Sequence, residues 1–438
     1  MRTNRLTSTL LALTLGLALA ACNGATTPGP QPDDGQHGTV LRSSQQRNTS
    51  PDVPPADLQA LVAGNTDFAF DMYHQIRQTK PGNLFFSPQS ISQALAMTWG
   101  GARGANATQM AEVLSFTLPA DRLHPAFNAL DLTLASRGQG AQGMDGGGFR
   151  LRLVNAIWGQ QGYGFLESFL DLLAVNYDAG LRLLDFCADP DAGRLVINDW
   201  VEQQTEGKIK DLLEPGTVTG DTRLVLTNAI YFNAQWKEVF PTENSVDGPF
   251  TLLDGSSVTV PTMALYAEYG HAAGAGYQAV ELAYDGDELA MLIVLPDAGR
   301  FAEVETSLDG AAVSALAASL EQKNLTLTMP KWTVDTKLSV KEQLEGLGMT
   351  DAFAPPTADF TGINGGVEPL WISDVIHQAH VLVNEYGTEA AAATAVIMVG
   401  GAMPDPLRVD ALRPFIYVIR DRPTGTILFV GRILNPAA

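Results

Sequence analysis

The residue types that carry catalytic chemistry are present in this sequence, but not at catalytic spacings. Gly138, Gly140 and Gly143 satisfy G-x-G-x-x-G, the pattern in which a glycine turn brings backbone against a pyrophosphate at a helix N-terminus. No strand pattern precedes them, no helix opens at them, and Met144-Asp145-Gly146-Gly147-Gly148 follows, so they read as a surface loop. No G-x-x-x-x-G-K-[ST], H-E-x-x-H or G-x-S-x-G occurs, and phosphate cradling, zinc hydrolysis and the nucleophile elbow each lack their signature. The six histidines, His37, His74, His124, His271, His377 and His380, are scattered apart from one i, i+3 pair, which on a strand would face opposite sides. Two cysteines, Cys22 and Cys187, are too few for a disulfide scaffold or a four-ligand zinc site. No metal or cofactor is expected. A Ser-His-Asp triad is recognised by geometry rather than spacing, so the sequence leaves it open.

The segment of strongest character is not catalytic in type. Glu385-Tyr386-Gly387-Thr388-Glu389-Ala390-Ala391-Ala392-Ala393-Thr394-Ala395-Val396 mixes alanines, which favour helix, with Thr and Val, which favour strand. Ile397-Met398-Val399-Gly400-Gly401-Ala402-Met403-Pro404-Asp405-Pro406 then runs uncharged to Asp405, punctuated by Gly and Pro, as an exposed loop within reach of a protease. Taken alone, the stretch also fits an Ala-rich helix followed by a turn.

Elements able to position such a segment are legible on both sides of it. Phe68, Met72 and Ile76 recur at helical spacing, as do Val196, Ile197, Trp200 and Val201, the latter run ending towards Gly207. Leu325, Leu327 and Met329 alternate with Thr326 and Thr328, Met291 to Leu295 is an apolar run stopped by Pro296, and Ile427 to Val430 is another strand candidate. Helices dominate the first half and strands the second, which predicts an α+β fold without an internal repeat. At 438 residues the chain is long enough for one large domain or about three smaller ones. With 45% hydrophobic and 17% charged residues it can bury a large core. Its formal charge of −21 repels phosphate backbones and anionic lipid, which excludes nucleic-acid binding as a function.

The N-terminus reads as an address. Arg2 and Arg5 precede an uncharged run from Leu6 to Ala21, too short and small in its residues for a membrane span, which predicts an export signal. The run closes on Leu19-Ala20-Ala21-Cys22, similar to the bacterial lipobox, so that Cys22 would carry lipid at the mature N-terminus of a bacterial lipoprotein. Multiple acyl chains, each gaining roughly 0.8 kcal/mol per buried CH₂, would hold it stably on a membrane. Residues 23–56, rich in Pro, Gly, Gln, Ser, Asn and Asp, read as a flexible tether, and the body is expected from residue 57 to 438. The protein is then exported, extracellular or in the cell envelope, and membrane-anchored through Cys22 alone.

The segment beginning at Glu385 resembles the hinge and reactive loop of the serpins, a family of serine-protease inhibitors. The resemblance extends in order over roughly residues 60 to 438. It includes Asn83-Leu-Phe-Phe-Ser87-Pro88-Gln-Ser90-Ile91 with Gly100-Gly101-Ala102, Asn155-Ala-Ile-Trp158, and Ile197-Asn198-Asp-Trp200-Val201. Leu226-Thr227-Asn228-Ala229-Ile230-Tyr231-Phe232 with Trp236, Met329-Pro330-Lys331-Trp332 and the terminal Phe429-Val430-Gly431-Arg432-Ile433-Leu434-Asn435-Pro436 are similar as well. The resemblance implies a single domain of three β-sheets and about nine helices, with the reactive loop projecting as bait. Serpin loop insertion is a known case of strand addition, in which the cleaved loop enters the largest sheet and carries the acylated protease with it.

A strand entering between two others must place alternate side chains in a packed interior. Here these are Thr388, Ala390, Ala392, Thr394 and Val396, all small or medium and uncharged, while Glu389 remains wet. Gly387 supplies a pivot, and some fourteen extended residues would reach about 45 Å. By matching position, Ser87, Ser90, Asn228 and His377 correspond to a hydrogen-bonded cluster where the sheet must part, and Trp236 to an aromatic at the top of that seam. None is a catalyst, and the protein is expected to be an inhibitor rather than an enzyme, a monomer until it forms a covalent acyl complex with a serine protease.

The attacked residue, seventeenth counting from Glu385, is Gly401, giving a Gly401-Ala402 bond with Ala402-Met403 and Met398-Val399 as alternatives; Met403-Pro404 is disfavoured because proline follows. No basic residue lies between Glu389 and Pro406, which points away from trypsin-like targets and towards elastase-, subtilisin- or chymotrypsin-like enzymes. His124 to Arg137 is not a basic helix, so no heparin-like activator is expected. The competing expectation is a non-inhibitory serpin-fold binding lipoprotein, cleaved as an ordinary substrate.

Overall fold

Two hydrogen-bonded sheets and ten α-helices account for most of the residues that the computed structural model describes, 37–388 and 407–438. Strands and helices are numbered in chain order. The main sheet runs β1 (Thr39–Leu41), β4 (Leu181–Leu184), β3 (Arg150–Gln160), β5 (Leu224–Gln235), β13 (Gly387–Thr388), β12 (Asp374–Asn384) and β11 (Trp332–Ser339). The second runs β14 (Leu407–Asp410), β10 (Glu321–Pro330), β7 (Ser257–Gly274), β8 (Tyr277–Ala283), β9 (Leu289–Pro296), β15 (Phe415–Asp421), β16 (Ile427–Ile433) and β2 (Leu84–Phe86), with β6 (Val246–Thr251) paired to β7. The helices are α1 (Pro55–Thr79), α2 (Pro88–Trp99), α3 (Gly104–Val113), α4 (Ala120–Ala135), α5 (Glu167–Tyr177), α6 (Pro190–Gln204), α7 (Phe301–Ser307), α8 (Gly310–Ala318), α9 (Lys341–Leu347) and α10 (Thr361–Asn364).

The fold is α+β, with two continuous sheets where three were expected. Strand β7 is the reason: it pairs with β6 and β10 along most of its length and with β8 over its last five residues, so the second and third sheets join through one strand. Ten α-helices among the described residues agree with the expected nine or so.

Apolar spacing decides which face each element buries. Phe68, Met72 and Ile76 line the buried face of α1, and Leu325, Leu327 and Met329 the buried face of β10. Helix α2 is buried from Pro88 to Thr98, and its polar side chains find partners inside the protein: Gln89 and Ser92 bond Asn65 of α1, and Gln93 bonds Asp131 of α4. Its N-terminus is set by Ser87, whose side chain accepts from the Ser90 amide, and by Pro88 in the first turn. Helix α6 covers one face of the main sheet, with Ile197, Trp200 and Val201 packed among Val154, Ala156, Trp158, Val225, Ala229 and Ile376.

The expected tether is corrected over its described part. Residues 37–54 contain β1, which pairs antiparallel with β4, and Leu41 and Val53 pack on the core. A three-residue strand offers no periodicity to read, and its partner lies some 140 positions away.

Candidate functional site

The seam between β5 and β12 is polar at one point. Register places Asn155 of β3 opposite Asn228 of β5, and Asn228 opposite His377 of β12, so three side chains form a row across three strands. Ser87 and Ser90, at the start of α2, close the row from the other chain direction. Ser87, Ser90, Asn228 and His377 are all fully buried.

The proton positions follow from the partners. The Ser87 backbone N–H donates to Nε2 of His377 at 3.1 Å, so Nε2 is the bare nitrogen and Nδ1–H donates to Oδ1 of Asn228. Nδ2 of Asn228 then donates to Oγ of Ser90 and to Oδ1 of Asn155, and Ser90 Oγ donates to Asn155 Oδ1 at 3.1 Å. Burial lowers the His377 pKa from the usual 6.5 to about 3, consistent with a neutral ring holding one proton. The Ser87 hydroxyl accepts from the Ser90 amide rather than facing the ring, and the group oriented by the imidazole is an amide. Ser87 and His377 therefore do not form a nucleophile–base pair, and the cluster is a clasp between strands.

Asn155 is a member that the sequence reading did not single out. The available signal was a lone amide within the otherwise apolar Leu153–Trp158 stretch of β3.

Strands β5 and β12 pair directly in parallel through the cluster, from Val225–Asp374 up to Ile230–Ala379. At the top, β13 is seated between them, antiparallel to both: Gly387 lies opposite Gln235 and Asn384, and Thr388 opposite Ala234 and Val383. Thr388 is buried, with Oγ1 2.8 Å from the Tyr284 hydroxyl. The Tyr284 ring stacks on Trp236 at 4.5 Å and 13°.

Trp236 stands eight residues beyond Asn228, about 26 Å along the strand, and so belongs to a different part of the seam. Its indole N–H donates to the Asn384 carbonyl at 2.9 Å and its backbone N–H to the Tyr386 carbonyl at 2.8 Å. Glu385 is held beside it, accepting from Ser245 Oγ at 2.6 Å and Lys331 Nζ at 2.9 Å. Burial pushes the Glu385 carboxyl up, but the Ser245 and Lys331 hydrogen bonds outweigh it and hold the pKa below the usual range.

Gly387 has φ +152°, and a Cβ there would stand 2.1 Å from the Ala234 carbonyl oxygen. The glycine therefore admits close approach of the hinge to β5, a more specific requirement than pivot freedom. Ala390, Ala391, Ala392, Ala393, Thr394 and Val396, the reactive-bond candidates Met398, Val399, Gly401, Ala402 and Met403, and Cys22 lie outside the described residues.

Residues 63–436 match the family model described as Serpin (serine protease inhibitor). An uncharacterised serpin-like protein of Thermococcus kodakarensis is 38% identical over 379 residues, covering 86% of this chain and 86% of the relative. The leukocyte elastase inhibitor of Sus scrofa is 37% identical over 389 residues, covering 86% of this chain and 100% of the inhibitor. Among solved structures, human thyroxine-binding globulin complexed with its hormone superposes with TM-score 0.78 at 29% identity, over 87% of this chain and 99% of that one. The chain belongs to the serpin family, a family described as serine protease inhibitors.

Proposed function

We propose that this serpin is a suicide inhibitor of serine proteases. The protease serine attacks the carbonyl of the loop residue, Gly401 by count from Glu385, and the bond to Ala402 breaks with its nitrogen leaving as the protonated amine. The protein stays attached through an ester, and the arm from Gly387 onward enters the main sheet before water can hydrolyse it.

The observation that carries this reading is the seating of Gly387 and Thr388 between β5 and β12 in the uncleaved chain. Continuing the two registers down the seam brings Ala390 opposite Phe232, Ala392 opposite Ile230, and Thr394 between Asn228 and His377. A hydroxyl would then enter at the point where the clasp must open, and could bond the amide and ring that its arrival separates. No charged or bulky side chain follows Thr388 on the inward face.

Small and aliphatic residues around the candidate bond support an elastase-, subtilisin- or chymotrypsin-like target, and a relative named for elastase inhibition agrees with this. The likeness to thyroxine-binding globulin favours, as the second reading, a non-inhibitory binding protein. For either reading, export and lipid attachment at Cys22 would place the domain at a membrane surface.

Mixing the purified protein with elastase, subtilisin, chymotrypsin and trypsin, then running denaturing gels and weighing the released C-terminal peptide, separates the two. A denaturant-resistant complex supports inhibition, and the peptide mass identifies the bond. Complete loop cleavage with every enzyme still active supports the binding protein.

A further inference from the structure

Helices α1 and α3, the end of α2 and the turn after α3 enclose a cleft of about 610 Å³, within the size range of small-molecule sites and lined by none of the clasp or hinge residues. Close backbone approach shapes it. A Cβ on Gly64 of α1 would stand 2.3 Å from the Ser115 carbonyl oxygen, so the turn lies hard against that helix. Ser115 takes φ +54°, its amide donates to the Glu112 carbonyl at 3.2 Å, and the Phe116 amide donates to the Ala111 carbonyl at 2.8 Å. This Schellman closure ends α3 and turns Phe116 back over it.

The floor of the cleft is aromatic. Trp99, the last residue of α2, donates its indole N–H to the Ala107 carbonyl at 2.9 Å, so its one polar atom is satisfied and ring carbon is left to the cleft. Phe116 meets the indole edge to face, at 5.6 Å and 72°. Both rings are only partly buried, and Ala107 and Ala111 are small walls beside them. The rings therefore keep apolar surface that no other side chain covers.

The rim is acidic. Asp67 of α1 and Glu112 of α3 are exposed and line the cleft. Asp71 follows Asp67 one turn later on α1, and Asp309 caps α8, whose Gly310 is so close that a Cβ on it would stand 2.4 Å from Asp67 Oδ1. Burial and the Asp309 charge raise the Asp67 carboxyl, and burial and the Asp67 charge raise that of Asp71. Among the described residues no Lys, Arg or His lines the cleft, and none of these four carboxylates is in an ion pair.

Floor and rim together select one ligand chemistry. A neutral apolar molecule would cover the rings and leave the crowded carboxylates as they are. A metal ion would gain nothing from the rings, and among the described residues no three acidic, His or Cys side chains converge to hold one. An ammonium on a hydrocarbon body meets both demands: the body covers Trp99 and Phe116, the charge faces Asp67 and Glu112, and the ring faces attract the same charge.

We propose that this cleft binds a small organic cation, an amine or quaternary ammonium carried on an apolar body. The inference goes beyond protease inhibition and does not depend on loop insertion.

The test titrates the full chain calorimetrically with phenethylammonium and, separately, with 2-phenylethanol, a counterpart of the same shape without the charge. Asp67→Asn and Glu112→Gln each remove one exposed charge, Ala111→Leu fills the cleft, and Glu321→Gln, an exposed acid of β10, is the control. The amine should bind the parent with Kd of about 1 mM or tighter, as its few atoms allow, and the alcohol about tenfold more weakly. Each charge variant should weaken the amine about fivefold and leave the alcohol unchanged. Ala111→Leu should abolish binding of both, and the control should match the parent. Equal affinity for amine and alcohol overturns the cation site, as does no binding of the amine at about tenfold the expected Kd. Amine binding that neither Asp67→Asn nor Glu112→Gln weakens places the ligand elsewhere and overturns it too. If Ala111→Leu does not fold, the two charge variants decide alone.

Discussion

His377 donates through Nδ1 to Oδ1 of Asn228, and the two face each other in register across the one seam of the main sheet that the hinge has begun to enter. The strands on either side therefore share a side-chain bond as well as a backbone ladder, and opening the seam costs both.

Asn228→Ala should destabilise the uncleaved protein by about 1–3 kcal/mol, because it leaves the His377 ring proton without its partner in a buried site and removes one of the two donors to the Asn155 amide oxygen. A lowered thermal midpoint of the uncleaved form, with little change after loop cleavage, is the expected result. Equal shifts in both forms would mean that the clasp is ordinary core.

Thr388→Arg should turn the inhibitor into a substrate. Thr388 is enclosed, with Tyr284 as its hydroxyl partner, and an arginine cannot be buried there without an acidic partner. Gel analysis should show complete cleavage and no stable complex, while circular dichroism of the uncleaved variant stays like that of the parent. A full yield of complex would count against insertion.

Thr394→Val tests the register. It should leave the uncleaved protein unchanged and lower the thermal midpoint of the cleaved form, by the loss of about one hydrogen bond, 0.5–1.5 kcal/mol. Ala392→Ser, one inward position higher and away from Asn228 and His377, should not reproduce that pattern.

Acid should destabilise the fold through its buried imidazoles. Burial lowers His377 to about 3 and His124 to about 4, from 6.5 in the unfolded chain. Below pH 6.5 the unfolded chain takes up protons that the folded one refuses, so the stability present above 6.5 is lost as pH falls. Each histidine contributes about 1.4 kcal/mol per pH unit until its own folded pKa is reached. Thermal midpoints measured from pH 7.5 to 4.5 should fall accordingly, and His124→Gln should flatten the slope by one proton's worth.

Much of this was readable in the chain itself. The apolar spacing of Phe68, Met72 and Ile76 and the alternation through Leu325 to Met329 report which face is buried, because side-chain direction follows from backbone period alone. The small uncharged residues at alternate positions after Gly387, from Thr388 to Val396, report what the hinge could bury, since that depends on side-chain size and charge. The family was legible for the same reason: its motifs are local and ordered.

What only the tertiary structure decided is who meets whom. Asn155 enters the clasp through register with a strand more than 70 positions away, Gly387 is a glycine because of the Ala234 carbonyl, and two expected sheets merge because β7 runs on from one to the other. Residues 37–54 look like linker by composition, yet they are held by β4, α4, α5 and α6. A segment without periodicity of its own takes its structure from the surface that receives it, and that surface exists only once the rest of the chain has folded.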